Sequence, residues 1–203
     1  MWCLLSIILT GLTAGVAPPV AATERQPQLA AIERYLNSIK TLRSVFIQSA
    51  TNGQVSQGQI YLSRPGRLRI DYKPPVQLQI FGDTTWLTFI DSELKEVNQL
   101  PVNASPAALL LSNELRLSTD VGVEKIKRRD EELRVYLYQK KQPDAGRLIL
   151  ALATKPFRLM GWSVVDAQGI TTTVTLIGPK FNMPINNRIF DFNHPDWTDP
   201  TTE

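Results

Sequence analysis

Residues 58–72, GQIYLSRPGRLRIDY, constrain the fold of this chain more than any other segment. Ile60 and Leu62 alternate with Gln59, Tyr61 and Ser63. After Arg64-Pro65-Gly66, Leu68, Ile70 and Tyr72 alternate with Arg67, Arg69 and Asp71. Successive side chains of an extended strand point to opposite faces, so a period of two with one apolar and one polar side marks a half-buried antiparallel sheet. Pro65 presets φ and Gly66 is free to take positive φ, which makes the tripeptide between the runs turn chemistry. The segment reads as a hairpin, and its style recurs through most of the chain.

Further strands are expected from 45–48, 54–63, 67–73, 76–81, 85–90 and 96–100, and then from 121–128, 133–139, 147–154, 159–165, 171–177 and 188–192. Turn signals separate them, among them Asn52-Gly53, Pro74-Pro75, Gly82-Asp83, Asp144-Ala145-Gly146 and Asp166-Ala167-Gln168-Gly169. A helix is predicted over 27–40, with Pro27 at its first position and Leu29, Ile32, Leu36 and Ile39 forming one apolar stripe. A second, brief helix is opened by Ser105 as cap and Pro106 at its first position, and carries Leu109, Leu110 and Leu111. The expected class is mainly β (α+β): one antiparallel sheet with a few short helices.

Residues 1–22 contain no Asp, Glu, Lys or Arg. Their apolar run, 2–12, is too short to span a bilayer, which takes ~20 residues. Small residues follow it, and Val20-Ala21-Ala22 fits a small-x-small cleavage site. This reads as a secretory signal cut after Ala22, leaving 23–203 as a single domain. The lack of Lys or Arg near the start keeps an uncleaved membrane anchor open as the alternative. The one cysteine, Cys3, lies inside the signal, so the mature chain has no thiol and must be stabilised by its own core.

The formal charge is +3, from 22 basic and 19 acidic residues. The densest basic run, Lys125, Lys127, Arg128 and Arg129, is followed at once by Asp130-Glu131-Glu132. That is the composition of a solvated hairpin rather than a nucleic-acid site, although a mildly basic face suits anionic lipid or an acidic partner.

Catalytic signals are scarce. The single histidine, His194, lies near the tail, and no Cys or His cluster has metal-ligand spacing. There is no Gly-rich phosphate loop and no nucleophile elbow. Asp91, Glu93 and Glu96 could supply a carboxylate pair, but they fall at a predicted turn, where solvated charge is the default. A binding protein without metal or cofactor is expected rather than an enzyme. Two readings of the apolar strand faces stay open: a closed core covered by the helices, or a curved sheet whose inner face exceeds what the helices can fill and so holds an apolar ligand.

Motifs in order add to this. Residues 35–42 (YLNSIKTL) come first, then Phe46-Ile47-Gln48. Gly58-x-Ile60-Tyr61-Leu62-Ser63-Arg64-Pro65-Gly66-x-Leu68-Arg69-x-Asp71-Tyr72-x-Pro74-Pro75 follows. Trp86 lies in an aromatic strand, and after it come Ser105-Pro106-x-x-Leu109-Leu110, Asp166-x-x-Gly169 and Phe190-x-Phe192-x-x-Pro195. With these the chain resembles the LolA family of periplasmic lipoprotein carriers over nearly all of 23–203.

The resemblance implies a curved antiparallel half-barrel closed by short lid helices, with Leu29, Ile32, Leu36, Ile39, Pro106, Leu109 and Leu110 in the lid. It implies an acyl-chain cavity walled by Phe46, Ile60, Leu62, Leu68, Ile70, Tyr72, Leu78, Ile80 and Trp86. Arg64 matches a family arginine that latches the lid through backbone groups; an exposed turn residue is the alternative its Arg-Pro-Gly pattern leaves open.

The implied partners are acylated lipoproteins, an inner-membrane lipoprotein-release ABC transporter, and an outer-membrane lipoprotein receptor or no separate receptor at all. The implied state is a monomer in the periplasm of a Gram-negative bacterium. Distant relatives of the same fold include sensors and binders of other envelope lipids, so the cargo is less constrained than the fold. Two departures stand out: Ile70 where many carriers have Trp, and Gly82-Asp83 where Asp-Gly is common.

Overall fold

A computed structural model describes residues 20–105, 108–117, 119 and 121–192. The chain enters through helix α1 (Val20–Ser38). Strands β1 (Thr41–Ala50), β2 (Val55–Ser63), β3 (Arg67–Tyr72), β4 (Leu78–Gly82), β5 (Trp86–Asp91) and β6 (Glu96–Pro101) follow. A 3₁₀ turn at Val102–Ala104 and a single helical turn, α2 (Ala108–Leu111), lead to the second run of strands. These are β7 (Val121–Arg129), β8 (Glu132–Gln139), β9 (Arg147–Thr154), β10 (Phe157–Val165) and β11 (Thr171–Phe181).

All eleven strands join one sheet in the order β6-β5-β4-β3-β2-β1-β11-β10-β9-β8-β7, with every pairing antiparallel. The chain therefore builds one wing outward from β1 to β6, crosses, and builds the other wing inward from β7 to β11. The crossing segment, 102–120, joins the two free edges of the sheet. Its described residues Leu111, Leu115 and Leu117 are buried in the core cluster with Ile32 and Leu36 of α1, which makes the segment a cover on the sheet's inner face.

The predicted 58–72 hairpin lies in β2 and β3, with Ile60 opposite Ile70 and Leu62 opposite Leu68. Several predicted elements differ: the strand expected at 45–48 spans Thr41–Ala50, and that expected at 171–177 runs on to Phe181. The first helix begins at Val20 rather than Pro27, and Pro27 lies inside it. The segment 188–192 is not a strand. A 3₁₀ turn spans Asn187–Phe190, started by Asn186, whose side-chain oxygen accepts from the Arg188 backbone N–H. Pro106 and His194 lie outside the described residues, as does nearly all of the expected signal.

One wing is solid. Val135, Leu137, Leu150 and Leu152 are 0% exposed, with Leu133 and Leu148 nearly so. α1 supplies Ile32 and Leu36 to the same cluster, and Leu115 and Leu117 of the lid segment complete it. Tyr35 ties α1 to this wing: its hydroxyl accepts from the Leu159 N–H at 2.8 Å, and its ring meets Phe157 edge-on. Burying each such Leu is worth roughly 1.5–3 kcal/mol, so this wing anchors the domain. Among the described residues no helix is long and apolar enough to cross a membrane.

A candidate ligand-binding cavity under the lid

The other wing is not filled. Every residue of β3 is only half-buried. The inward side chains of β1 to β5 face a cavity of about 510 Å³, roofed by Leu36, Ile39, Leu110 and Leu111. That volume falls within the ~300–1,000 Å³ typical of ligand sites. On β1 the lining runs from Leu42 to Gln48, about 20 Å at ~3.3 Å per residue. One leaflet of a bilayer is roughly 15 Å deep, half of the ~30 Å hydrocarbon core, so a fatty chain can lie along the cavity.

Of the residues expected in the wall, Ile60, Leu62, Leu68, Ile70, Tyr72 and Ile80 line the cavity; Phe46, Leu78 and Trp86 are not among its lining residues. Phe46 points inward but is 2% exposed, its ring set edge-on against Tyr72 at 5.3 Å. It occupies the space left by Gly58, where a Cβ would come within 2.8 Å of that ring and 2.2 Å of the Asp71 carbonyl oxygen. Leu78 has the same parity as Ile80 but pairs with Asp91 at the end of its strand, beyond the hollow. Trp86 is 41% exposed, because Leu87 and Phe89 take the inward positions of β5.

Of the expected lid residues, Ile32, Leu36 and Ile39 are buried, while Leu29, Leu109 and Leu110 pack half-buried on the core. The wall also includes Leu159, Trp162 and Val164 of β10, of which period-two reading puts Leu159 on the opposite face. A bulge at Met160, between the pairs Leu159–Leu152 and Gly161–Ala151, puts Leu159 and Trp162 three residues apart on one face. A break in alternation around Met160-Gly161 was the only available signal.

Arg64 sits where the lid meets the wall. It is 8% exposed. Its Nε donates to the Leu110 carbonyl at 2.8 Å, and a terminal nitrogen donates to the Leu36 carbonyl at 2.7 Å. Two residues on, the Gly66 N–H donates to the Leu111 carbonyl at 2.9 Å, from a backbone with φ +74° that suits glycine. One turn thus binds both roof elements, and its cation meets carbonyls at their C-terminal ends, where helix carbonyls lack intrahelical partners. No carboxylate is paired with Arg64 among the described residues; burial lowers its pKa to about 10, which leaves it charged at neutral pH.

The lid segment is also tied to α1. The Asn37 side chain donates to the Leu115 carbonyl and accepts from the Leu115 N–H, at 2.9 and 2.8 Å, and Glu33 accepts from the Leu117 N–H at 2.7 Å. The candidate carboxylates lie elsewhere. Asp91 accepts from the N–H groups of Glu93 and Leu94, which makes it a turn-forming residue, and Glu93 and Glu96 are exposed.

Residues 37–193 match the family model described as "Outer membrane lipoprotein carrier protein LolA". An outer-membrane lipoprotein carrier protein of Methylococcus capsulatus is 27% identical over 184 residues, covering 87% of this chain and 88% of the relative. Another, of Legionella pneumophila, is 30% identical over 176 residues, covering 83% and 86%. Among solved structures, that of a LolA superfamily protein from Nitrosomonas europaea aligns with TM-score 0.44 and 11% identity, over 80% of this chain and 97% of that one.

Proposed function

The chain belongs to the LolA family, and from that premise we propose that it is a periplasmic carrier that takes the acyl chains of lipoproteins into its cavity and moves them from the inner to the outer membrane. The observation that carries this reading is the apolar hollow itself, roofed by the end of α1 and the single turn of α2, which one buried arginine holds by their carbonyls.

Exposing hydrocarbon to water costs ~0.8 kcal/mol per CH₂, so a multiply acylated protein cannot diffuse freely without a cover. The membrane hides the same surface, so the carrier needs only comparable affinity, and a small difference directs handover. A roof held by a few hydrogen bonds, each worth about 0.5–1.5 kcal/mol net, opens at that scale. Arg64 is the latch in this scheme, and Leu36, Ile39, Leu110 and Leu111 are the surfaces that exchange with cargo. An inner-membrane release machine would load the carrier and an outer-membrane acceptor would unload it. The chemistry asked of the protein is shelter, not bond making.

The test is reconstituted transfer of a triacylated lipoprotein from release-competent inner-membrane vesicles to outer-membrane vesicles. Soluble, carrier-bound lipoprotein is expected only when this protein is present. Failure to hold any lipoprotein in solution would contradict the proposal.

A further inference from the structure

The cavity is greasy along its length but polar at the end far from Arg64. Gln48, Tyr72 and Thr172 line that end. Gln48 pairs across β1–β11 with Val174, and Ala50 with Thr172, which places Gln48 and Thr172 on adjacent strands two residues apart in register. Tyr72 reaches Gln48 from β3, and its hydroxyl donates to Gln48 Oε1 at 2.8 Å. Burial raises the Tyr72 pKa above its ordinary value, so the phenol keeps its proton and remains a donor. That bond fixes the amide: Oε1 is occupied, and the two N–H groups of Nε2, like the Thr172 hydroxyl, make no hydrogen bond to the protein among the described residues.

Unused donors at the end of an apolar trough call for an acceptor on the ligand. The trough's charges decide which acceptor. Among its described lining residues the charged ones are Arg64, at the other end and committed to two carbonyls, and Asp166, at this end. A carboxylate ligand would meet no free cation here and one like charge.

We propose that Gln48, oriented by Tyr72 and assisted by Thr172, is a head-end subsite that binds the neutral carbonyl of a fatty ester or amide, selecting acyl groups already joined to a carrier molecule over free fatty acids. This rests on the carrier reading and specifies its ligand. A donor of this kind also fixes depth: the carbonyl stops at Gln48 while the hydrocarbon runs toward Arg64.

The test uses displacement of the apolar fluorophore N-phenyl-1-naphthylamine by three ligands with 16-carbon chains: monopalmitoylglycerol, its ether analogue 1-O-hexadecylglycerol, and palmitate at pH 8. The wild-type protein is expected to prefer ester over ether by about 2- to 12-fold, the range of one net hydrogen bond. Palmitate is expected to bind more weakly than the ester.

In Gln48→Leu the ester-to-ether affinity ratio falls to about one. Tyr72→Phe keeps the ring against Phe46 and lowers the preference partway. Equal ester and ether affinity in the wild type, an ester preference that survives in Gln48→Leu, or tightest binding of palmitate would each overturn the subsite while leaving the acyl carrier standing. Absence of binding by all three ligands would overturn both.

Discussion

The two wings of the sheet are built from the same alternating strands, yet β8 and β9 are packed solid while β1 to β5, bordered by β10 and β11, wall a hollow. Around Val135 and Leu150, both 0% exposed, the inward side chains are covered by α1 and by Leu115 and Leu117. Around Ile70, half-buried on a strand whose every residue is half-buried, the covering is the end of α1 and the single turn of α2. Strand patterning sets which side chains face inward. What lies opposite them decides whether they form a core or a container. The chain uses one wing to stay folded and leaves the other to be filled by something else.

That contrast can be broken by experiment. Leu150→Ala, in the solid wing, should cost about 2–5 kcal/mol in urea unfolding, because it removes buried methyl groups and leaves a new void. Ile70→Ala, which enlarges a void already present, should cost less than half as much. Equal costs would mean that the two wings are packed alike.

Arg64→Leu should leave global unfolding in place but loosen the roof. Amide exchange at 108–111 should rise about tenfold or more, with β8 and β9 unchanged, and the balance between loading and release of lipoprotein should shift. Unaltered exchange and transfer would remove Arg64 from the latch role. Ile70→Trp should be accommodated in the hollow within ~1 kcal/mol, since it meets space rather than packed atoms, while it lowers displacement of an apolar fluorophore by acyl ligands. The smallest effect is expected from Asp91→Asn, which keeps the turn bonds and should change stability and transfer by no more than ~0.5 kcal/mol equivalents. Loss of function there would revive an acid–base role.

Strand existence was legible because alternation is a local property. The 54–63 and 67–73 runs lie within a residue or two of β2 and β3. The edges of the reading failed where one residue carries two meanings. Pro27 suits a first helical turn, but here it sits inside a helix that starts seven residues earlier. Phe190 and Phe192 suggest a strand, yet Asn186 caps a 3₁₀ turn instead, and Phe192 packs on Phe81 across the outer face.

In the cavity, side-chain type and parity located Ile60, Leu68 and Ile70. They could not separate Phe46, which packs over Gly58, from a true wall residue, because that depends on a glycine of the neighbouring strand. They could not reach Leu159, because a bulge shifts its phase against Trp162 and Val164. Nor could any local pattern distinguish a filled inner face from an empty one. That is set by the count of side chains arriving from the other elements.

The central claim, that acyl chains occupy the hollow wing, is tested most directly by a photo-crosslinking residue placed at Ile70 on the cavity wall and, as control, at Ile47, which is 43% exposed and faces outward. After loading with a triacylated lipoprotein, the account predicts an acyl-dependent adduct from position 70 and none from position 47, with the adduct absent when the cargo lacks its fatty chains. Adducts of equal yield from both positions, or none from position 70 while cargo remains bound, would contradict it.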